Sequence, residues 1–351
     1  EFSEEKSRDT GINFATFNQT ANYFSLATKA GYVVYSISPR LEKFHEDNGG
    51  CGRSVVEMFQ DTALIGLIGT GEDFSVSQRK VFLFNMQSEE VICSFSYPTA
   101  VIALKFSEER LVFVMENEIH IHDSEKLSEK PVVLQTPNNP NGICAHARQL
   151  VAYPCPHPDK AEKGTVAIYD CKNQETYCRS ITGHAEPIAA LALNSRGDLL
   201  ATVSTRGTTI RVFSLPDGKE EFAFRRGSYP AEITSLSFNQ DSSLLCVCSE
   251  KPTVHIFSLV KTDPKNESYF AGYIPAVLST VWDDHPRIRI PDAAKSIATI
   301  SSNNREVYVI TQEGNFYVYD LELVRAGNCD TPTTRESIRI SEFLTDSVSY
   351  L

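Results

Sequence analysis

The residues with the most to offer chemically are two neighbouring arginines, in the run Phe224-Arg225-Arg226-Gly227. A guanidinium is a planar fork of donors with permanent charge, and it matches the oxygens of a phosphate. On an extended strand, successive side chains point to opposite faces, so this pair cannot close on one compact ligand. It can serve two ligands, one on each side. Upstream, His184, Ser204, Thr205, Thr208 and Arg211 supply hydroxyls, turn amides and further donors. Downstream, Ser249, Lys251, Thr253 and His255 form a similar set. The pattern is that of two half-pockets for anions about one Arg-Arg pivot. From the residues alone an alternative stays open, in which Arg225 and Arg226 pair with Glu220 and Glu221 and the hydroxyl-rich stretches are simply turns.

These residues must be positioned by strands, because the chain has little helical periodicity. One short unit recurs: an apolar strand, a turn, a second apolar strand, a turn, then a strand that ends in an aromatic and a polar residue. The third strand is the clearest, as Gly31–Tyr35, Lys80–Phe84, Glu118–Asp123, Thr165–Asp170, Thr209–Phe213, Thr253–Phe257 and Asn315–Asp320. Second strands are expected at Tyr23–Ala27, Ala63–Ile68, Arg110–Val114, Leu199–Val203 and Leu244–Cys248. Recurrence at roughly 40 to 60 residues is near the period of a four-stranded propeller blade. A blade cannot bury its faces alone, whereas a closed ring of blades can, and closure also removes most exposed sheet edges. A double β-sandwich would not give seven copies of one unit. The expected fold is therefore all-β, a closed seven-bladed β-propeller of four-stranded blades over residues 12–327, with a tail at 1–11 and a C-terminal tail or closing strand at 328–351.

Composition narrows the function. With 41% hydrophobic and 22% charged residues the chain resembles an ordinary globular protein. A formal net charge of -12 excludes a general nucleic-acid binder, which needs a basic field. It equally excludes attachment to anionic membranes by bulk charge, so anion recognition must be local. Nine cysteines without a Cys-x-x-Cys pair fit a reducing, cytosolic setting better than a disulfide framework. No apolar run reaches the length of about 18 residues that spans a bilayer, and Glu1–Lys6 shows no leader pattern. Cys155 and His157 in the Pro-rich turn Pro154–Pro158 lack the partners a metal site needs. Asp283, Asp284 and His285 lack an evident nucleophile or orienting group, and no phosphate-cradling Gly-rich motif is placed between a strand and a helix. No enzyme activity, cofactor or metal is expected.

A long connection at about 260–286 interrupts the repeat. Within it Tyr269, Phe270, Tyr273, Ile274, Val277, Leu278, Val281 and Trp282 form two stripes at i, i+4 spacing, while Gly272, Ser279 and Asp283 fall on the other side. An amphipathic stretch ending in Trp suits a bilayer interface. A loop packed on its own blade is the plainer reading of the same residues.

The ordered trio Ala201–Phe213, Phe224–Gly227 and Ser249–Phe257 resembles the PROPPIN family (WIPI in animals), and the repeat spacing extends that resemblance over nearly the whole chain. The resemblance implies a seven-bladed propeller that binds phosphatidylinositol 3-phosphate and phosphatidylinositol 3,5-bisphosphate through two rim sites. It assigns Arg225, His184, Ser204, Thr205, Thr208 and Arg211 to one site. Arg226, Ser249, Lys251, Thr253 and His255 fall to the other. It also implies a membrane-inserting loop at Tyr269–Trp282 and recruitment of autophagy lipid-transfer or conjugation factors. The setting it implies is cytoplasmic, with peripheral recruitment to early autophagic membranes and endosomes. Pro252 stands where the family commonly has Gly; a proline removes one amide donor and stiffens the turn, so the second site is the less secure of the two. A WD-repeat scaffold without a lipid role is the competing expectation.

Overall fold

Alternating apolar residues become strands here because each pairs in a sheet whose faces neighbouring sheets cover. The computed structural model describes residues 11–72, 76–155, 164–260, 285–292, 295–326 and 332. Within them the strands group into seven antiparallel sheets taken strictly in chain order, six of four strands and a last one of three, Ser296–Ile300, Glu306–Thr311 and Phe316–Asp320. These are seven blades of a propeller. The repeated third strands lie where the sequence pattern places them, for instance Glu118–Asp123 and Thr209–Ser214. The tails, Asp283, Asp284, His157 and the whole apolar set from Tyr269 to Trp282 lie outside the described residues.

The core is not one mass but seven interfaces. Each apolar cluster draws its side chains from two adjacent blades. Val112, Val114, Val151 and Tyr169 join blades 3 and 4, and Val203, Val212, Val247 and Phe257 join blades 5 and 6. The ring closes between the first and last blades, where Phe24 stacks on Tyr35 at 5.0 Å and on Phe316 at 5.2 Å. Second strands are buried on both faces, as in Leu244–Ser249, and fourth strands are the exposed ones, as in Glu90–Ser96. The inner ends of the blades surround a central cavity of about 950 Å³ lined by Lys105, His146, Ser237 and Asn239 among others.

A polar device repeats alongside the apolar one. At the turn from first to second strand, buried Asn18, Asn194 and Asn239 accept backbone N–H groups through Oδ1, for example Leu199 N at 2.9 Å and Leu244 N at 2.8 Å. Their Nδ2 groups reach the next blade, at Gln60 O (2.8 Å), Ser242 Oγ (2.9 Å) and Asn304 Oδ1 (3.0 Å). A buried amide satisfied on both ends fixes the turn and the spacing between blades together.

Truncation at the closure tests this picture. Phe24→Ala should cost about 3–5 kcal/mol, read from the urea midpoint, since it empties a fully buried stack. A loss below about 1 kcal/mol would mean that the ring does not depend on this contact.

Candidate functional site

The edge that carries the turns between second and third strands collects the candidate residues. In blade 4 the third and fourth strands are Gly164–Asp170 and Glu175–His184. Blade 5 comprises Ile188–Leu193, Leu199–Ser204, Thr209–Ser214 and Lys219–Arg225. Blade 6 comprises Ile233–Phe238, Leu244–Ser249, Thr253–Ser258 and Arg287–Arg289. The registers pair Gly164 with His184, Ile188 with Ser204, Thr209 with Arg225, Ile233 with Ser249 and Thr253 with Arg289. All of these are strand ends, and all lie at one edge of the ring.

The two arginines diverge. Thr209, Arg211, Ala223 and Arg225 are paired positions on one face of blade 5, and the same register places Thr202 beside Arg211. That face looks toward blade 4, as Phe213, two residues beyond Arg211, packs with Ile168 and Ile181. Here His184 Nε2 lies 2.9 Å from Thr202 Oγ1. Burial and the Arg211 charge push the His184 imidazole down to about 4. Arg211 pairs with Glu220, and its Nε is buried without a partner among the described residues. Gly183 lets the blades approach, because a Cβ there would sit 2.8 Å from the Phe213 ring. Ser204 Oγ donates to Glu186 at 3.4 Å, and Arg206 stands 3.7 Å from the same carboxylate. Thr205 is exposed and Thr208 half-buried in the turn. Arg225 is half-buried at the strand end and donates to Ser228 Oγ at 3.1 Å.

Arg226 continues the ladder by one bond, its N–H donating to Thr208 O at 2.9 Å, and turns to the other side. Its side chain is buried, 6% exposed, with Nε on Gly207 O at 2.6 Å and Nη2 on Tyr229 O at 2.7 Å. Burial lowers its proton affinity and the nearby Glu250 carboxylate partly offsets this. Across the gap, Thr253 and His255 share a face with Arg289 and Arg287, their direct partners on the outer strand. His255 is 4% exposed, and its Nδ1 is 2.7 Å from His285 Nε2. Burial, then His285, Arg226 and Arg287, push it down to about 3. Ser249 is fully buried, with its Oγ unpartnered among the described residues. Lys251 is exposed, with Nζ 5.6 Å from the centre of the Tyr229 ring. Pro252, the departure noted above, uses its carbonyl to accept Ile290 N at 3.0 Å.

The pairing of Arg225 and Arg226 with Glu220 and Glu221 is not what holds the motif. Glu220 is taken by Arg211, Glu221 accepts from Ser214 Oγ at 3.2 Å, and Arg226 is clamped by two carbonyls. Sequence reasoning missed three residues that flank the second pocket: Arg287 and Arg289, which flank it as a pair, and His285. The signal was present as the alternation Arg287-Ile288-Arg289-Ile290, which puts both arginines on one face of a strand and both isoleucines in the core. His285, considered above beside Asp283 and Asp284, packs on His255 and on the Phe257 ring at 4.3 Å.

Two stability outcomes follow. Arg226→Thr should cost about 2–4 kcal/mol by thermal melting, because a buried guanidinium and its two charge-assisted bonds to backbone carbonyls are lost, whereas Arg225→Thr should cost under about 1 kcal/mol. Equal costs would contradict the clamp. The histidines give a pH dependence. His255 is held to about 3, and His184, His122 and His146 to about 4, whereas in the unfolded chain they titrate near 6.5. Below about 6.5 the unfolded chain binds protons that the folded chain refuses, so stability is full above that value and falls steadily toward pH 4. Urea midpoints that stay level from pH 7 to pH 5 would refute this.

Set beside known proteins, the chain matches the family model described as PROPPIN over residues 12–287. It is 32% identical to Autophagy-related protein 18 of Yarrowia lipolytica, over 91% of this chain and 94% of that one. It is 33% identical to Autophagy-related protein 18 of Dictyostelium discoideum, over 89% and 90%. Among solved structures, Kluyveromyces lactis Hsv2 with complete loop 6CD aligns at a TM-score of 0.71 and 19% identity, covering 88% of this chain and 93% of that chain. KlAtg21 in complex with the coiled-coil of AgAtg16 aligns at 0.72 and 21%, covering 88% and 94%. The last two establish the shared propeller, and the family match with the first two establishes descent: this chain belongs to the PROPPIN family.

Proposed function

We propose that the protein is a non-catalytic, cytoplasmic effector that binds phosphatidylinositol 3-phosphate and phosphatidylinositol 3,5-bisphosphate at two pockets on one edge of the propeller. The observation that carries this reading is the divergence of Arg225 and Arg226. Arg225 lies on the face of blade 5 that looks toward blade 4 and His184, and Arg226 lies toward Glu250 and His255 of blade 6, in a chain whose net charge is -12. Arg225 serves with His184, Ser204, Thr205, Thr208 and Arg211. Arg226 orients the second pocket with Ser249, Lys251, Thr253 and His255, and Arg287 and Arg289 add charge there. A headgroup phosphate supplies acceptors to guanidinium and hydroxyl donors, and its charge favours the protonated form of any imidazole it contacts.

Two pockets on a rigid ring make the second headgroup contact intramolecular, so modest sites give firm attachment. Among the described residues no helix is long and apolar enough to cross a membrane. Attachment is peripheral, with Tyr269–Trp282 entering the bilayer interface. Edge-on seating leaves the remaining blades for partners of the autophagy lipid-transfer or conjugation machinery, on early autophagic membranes and endosomes. The family membership and the solved complex of KlAtg21 with a coiled-coil support partners of that kind.

Liposome flotation with phosphatidylinositol, its 3-phosphate and its 3,5-bisphosphate tests the reading. The native chain should float selectively with the 3-phosphorylated lipids, and Arg225→Thr/Arg226→Thr should lose about tenfold or more in affinity. Because Arg226 also supports the fold, Arg225→Thr alone is the cleaner variant, and it should weaken binding without unfolding. A folded native chain that does not discriminate these lipids would sink the lipid reading and leave a WD-repeat scaffold.

A further inference from the structure

Between the two pockets, the chain crosses from blade 5 to blade 6 through Gly227-Ser228-Tyr229-Pro230. Tyr229 is 75% exposed, more than any other exposed large apolar side chain among the described residues. Single exposed apolar groups are ordinary on protein surfaces, so exposure alone decides nothing. Three features set this ring apart. Its backbone is pinned, since Arg226 Nη2 donates to its carbonyl at 2.7 Å while Nε of the same buried guanidinium holds Gly207 O. A cation from the next blade stands by the ring, Lys251 Nζ being 5.6 Å from its centre. Its position is shared with the candidate pockets, because the fourth strand of blade 5 ends and the first strand of blade 6 begins at that same edge.

The charges around the turn agree with an anionic surface. Glu232 is engaged by Lys295 at 2.9 Å, Glu186 faces Arg206, and Glu250 lies toward Arg226, while Arg225, Lys251 and Arg289 sit at the edge. An aromatic ring with a phenolic tip, carried on a pinned backbone beside cations, matches the boundary between lipid headgroups and acyl chains, where tyrosine is enriched. We propose that Tyr229 forms a membrane-interface anchor between the two pockets, beside Lys251 of the second, with the ring at the acyl boundary. This anchor rests on the lipid reading above and is separate from Tyr269–Trp282. A pinned aromatic loses little freedom on insertion, so it sets the depth and tilt at which both pockets meet the headgroups.

Tyr229→Trp in a Trp282→Phe background leaves one tryptophan, placed in the turn. On phosphatidylcholine vesicles carrying phosphatidylinositol 3-phosphate its emission should shift to the blue and be quenched by brominated acyl chains. In the otherwise native chain, Tyr229→Ser should bind those vesicles about five- to tenfold more weakly, yet bind soluble inositol 1,3-bisphosphate as the native chain does. Unshifted, unquenched emission on vesicles that the protein floats with overturns the anchor, and so does Tyr229→Ser floating like the native chain. If the native chain neither floats nor binds the soluble headgroup, it is the lipid reading that falls, and the anchor falls with it.

Discussion

A four-stranded sheet of this composition has two apolar faces and cannot cover either one. Everything else in the molecule depends on that constraint. The faces are covered by neighbouring blades, so that each apolar cluster belongs to two sheets, and the last gap is closed by Phe24 between Tyr35 and Phe316. Burial of apolar area drives the arrangement. The buried asparagines at the first turns, each satisfied within its own turn and by the next blade, add the geometry that apolar contact cannot specify.

The same constraint creates the candidate pockets. A gap between blades is where one sheet's face meets the next, and at the edge of the ring that gap opens to solvent. Side chains at strand ends therefore divide between the two gaps that flank a blade according to strand parity. Arg225 goes with the face that meets blade 4, and Arg226 with the side that meets blade 6, because one residue of sequence separates them. Their environments then differ. Arg225 is half-buried and reaches Ser228, while Arg226 is buried and serves as a structural clamp as well as a charge.

Burial also explains the state of the histidines. His184 and His255 are held well below the ordinary imidazole range, since desolvation and nearby guanidinium groups oppose a further positive charge. His255, in contact with His285, sits at the point where the chain re-enters the ring after the long connection, so the second pocket and the root of that connection share a contact.

Much of this was legible in the sequence. A period-two pattern repeated seven times needs no tertiary information to read as blades, because alternation and turn chemistry are local. The divergence of Arg225 and Arg226 was legible for the same reason, as was the family likeness carried by the residues around them. What the tertiary structure alone decided are the relations across blades. It brought Arg287 and Arg289 beside Thr253 and His255, although a long connection separates them in sequence. It made Arg226 a clamp on the carbonyls of Gly207 and Tyr229, assigned Glu220 to Arg211, and left Tyr229 exposed beside Lys251. Periodicity tells which face of a strand a residue occupies. Which neighbour that face meets, and how deeply a charge is buried there, depends on packing between segments distant in sequence, and a local pattern carries no record of it.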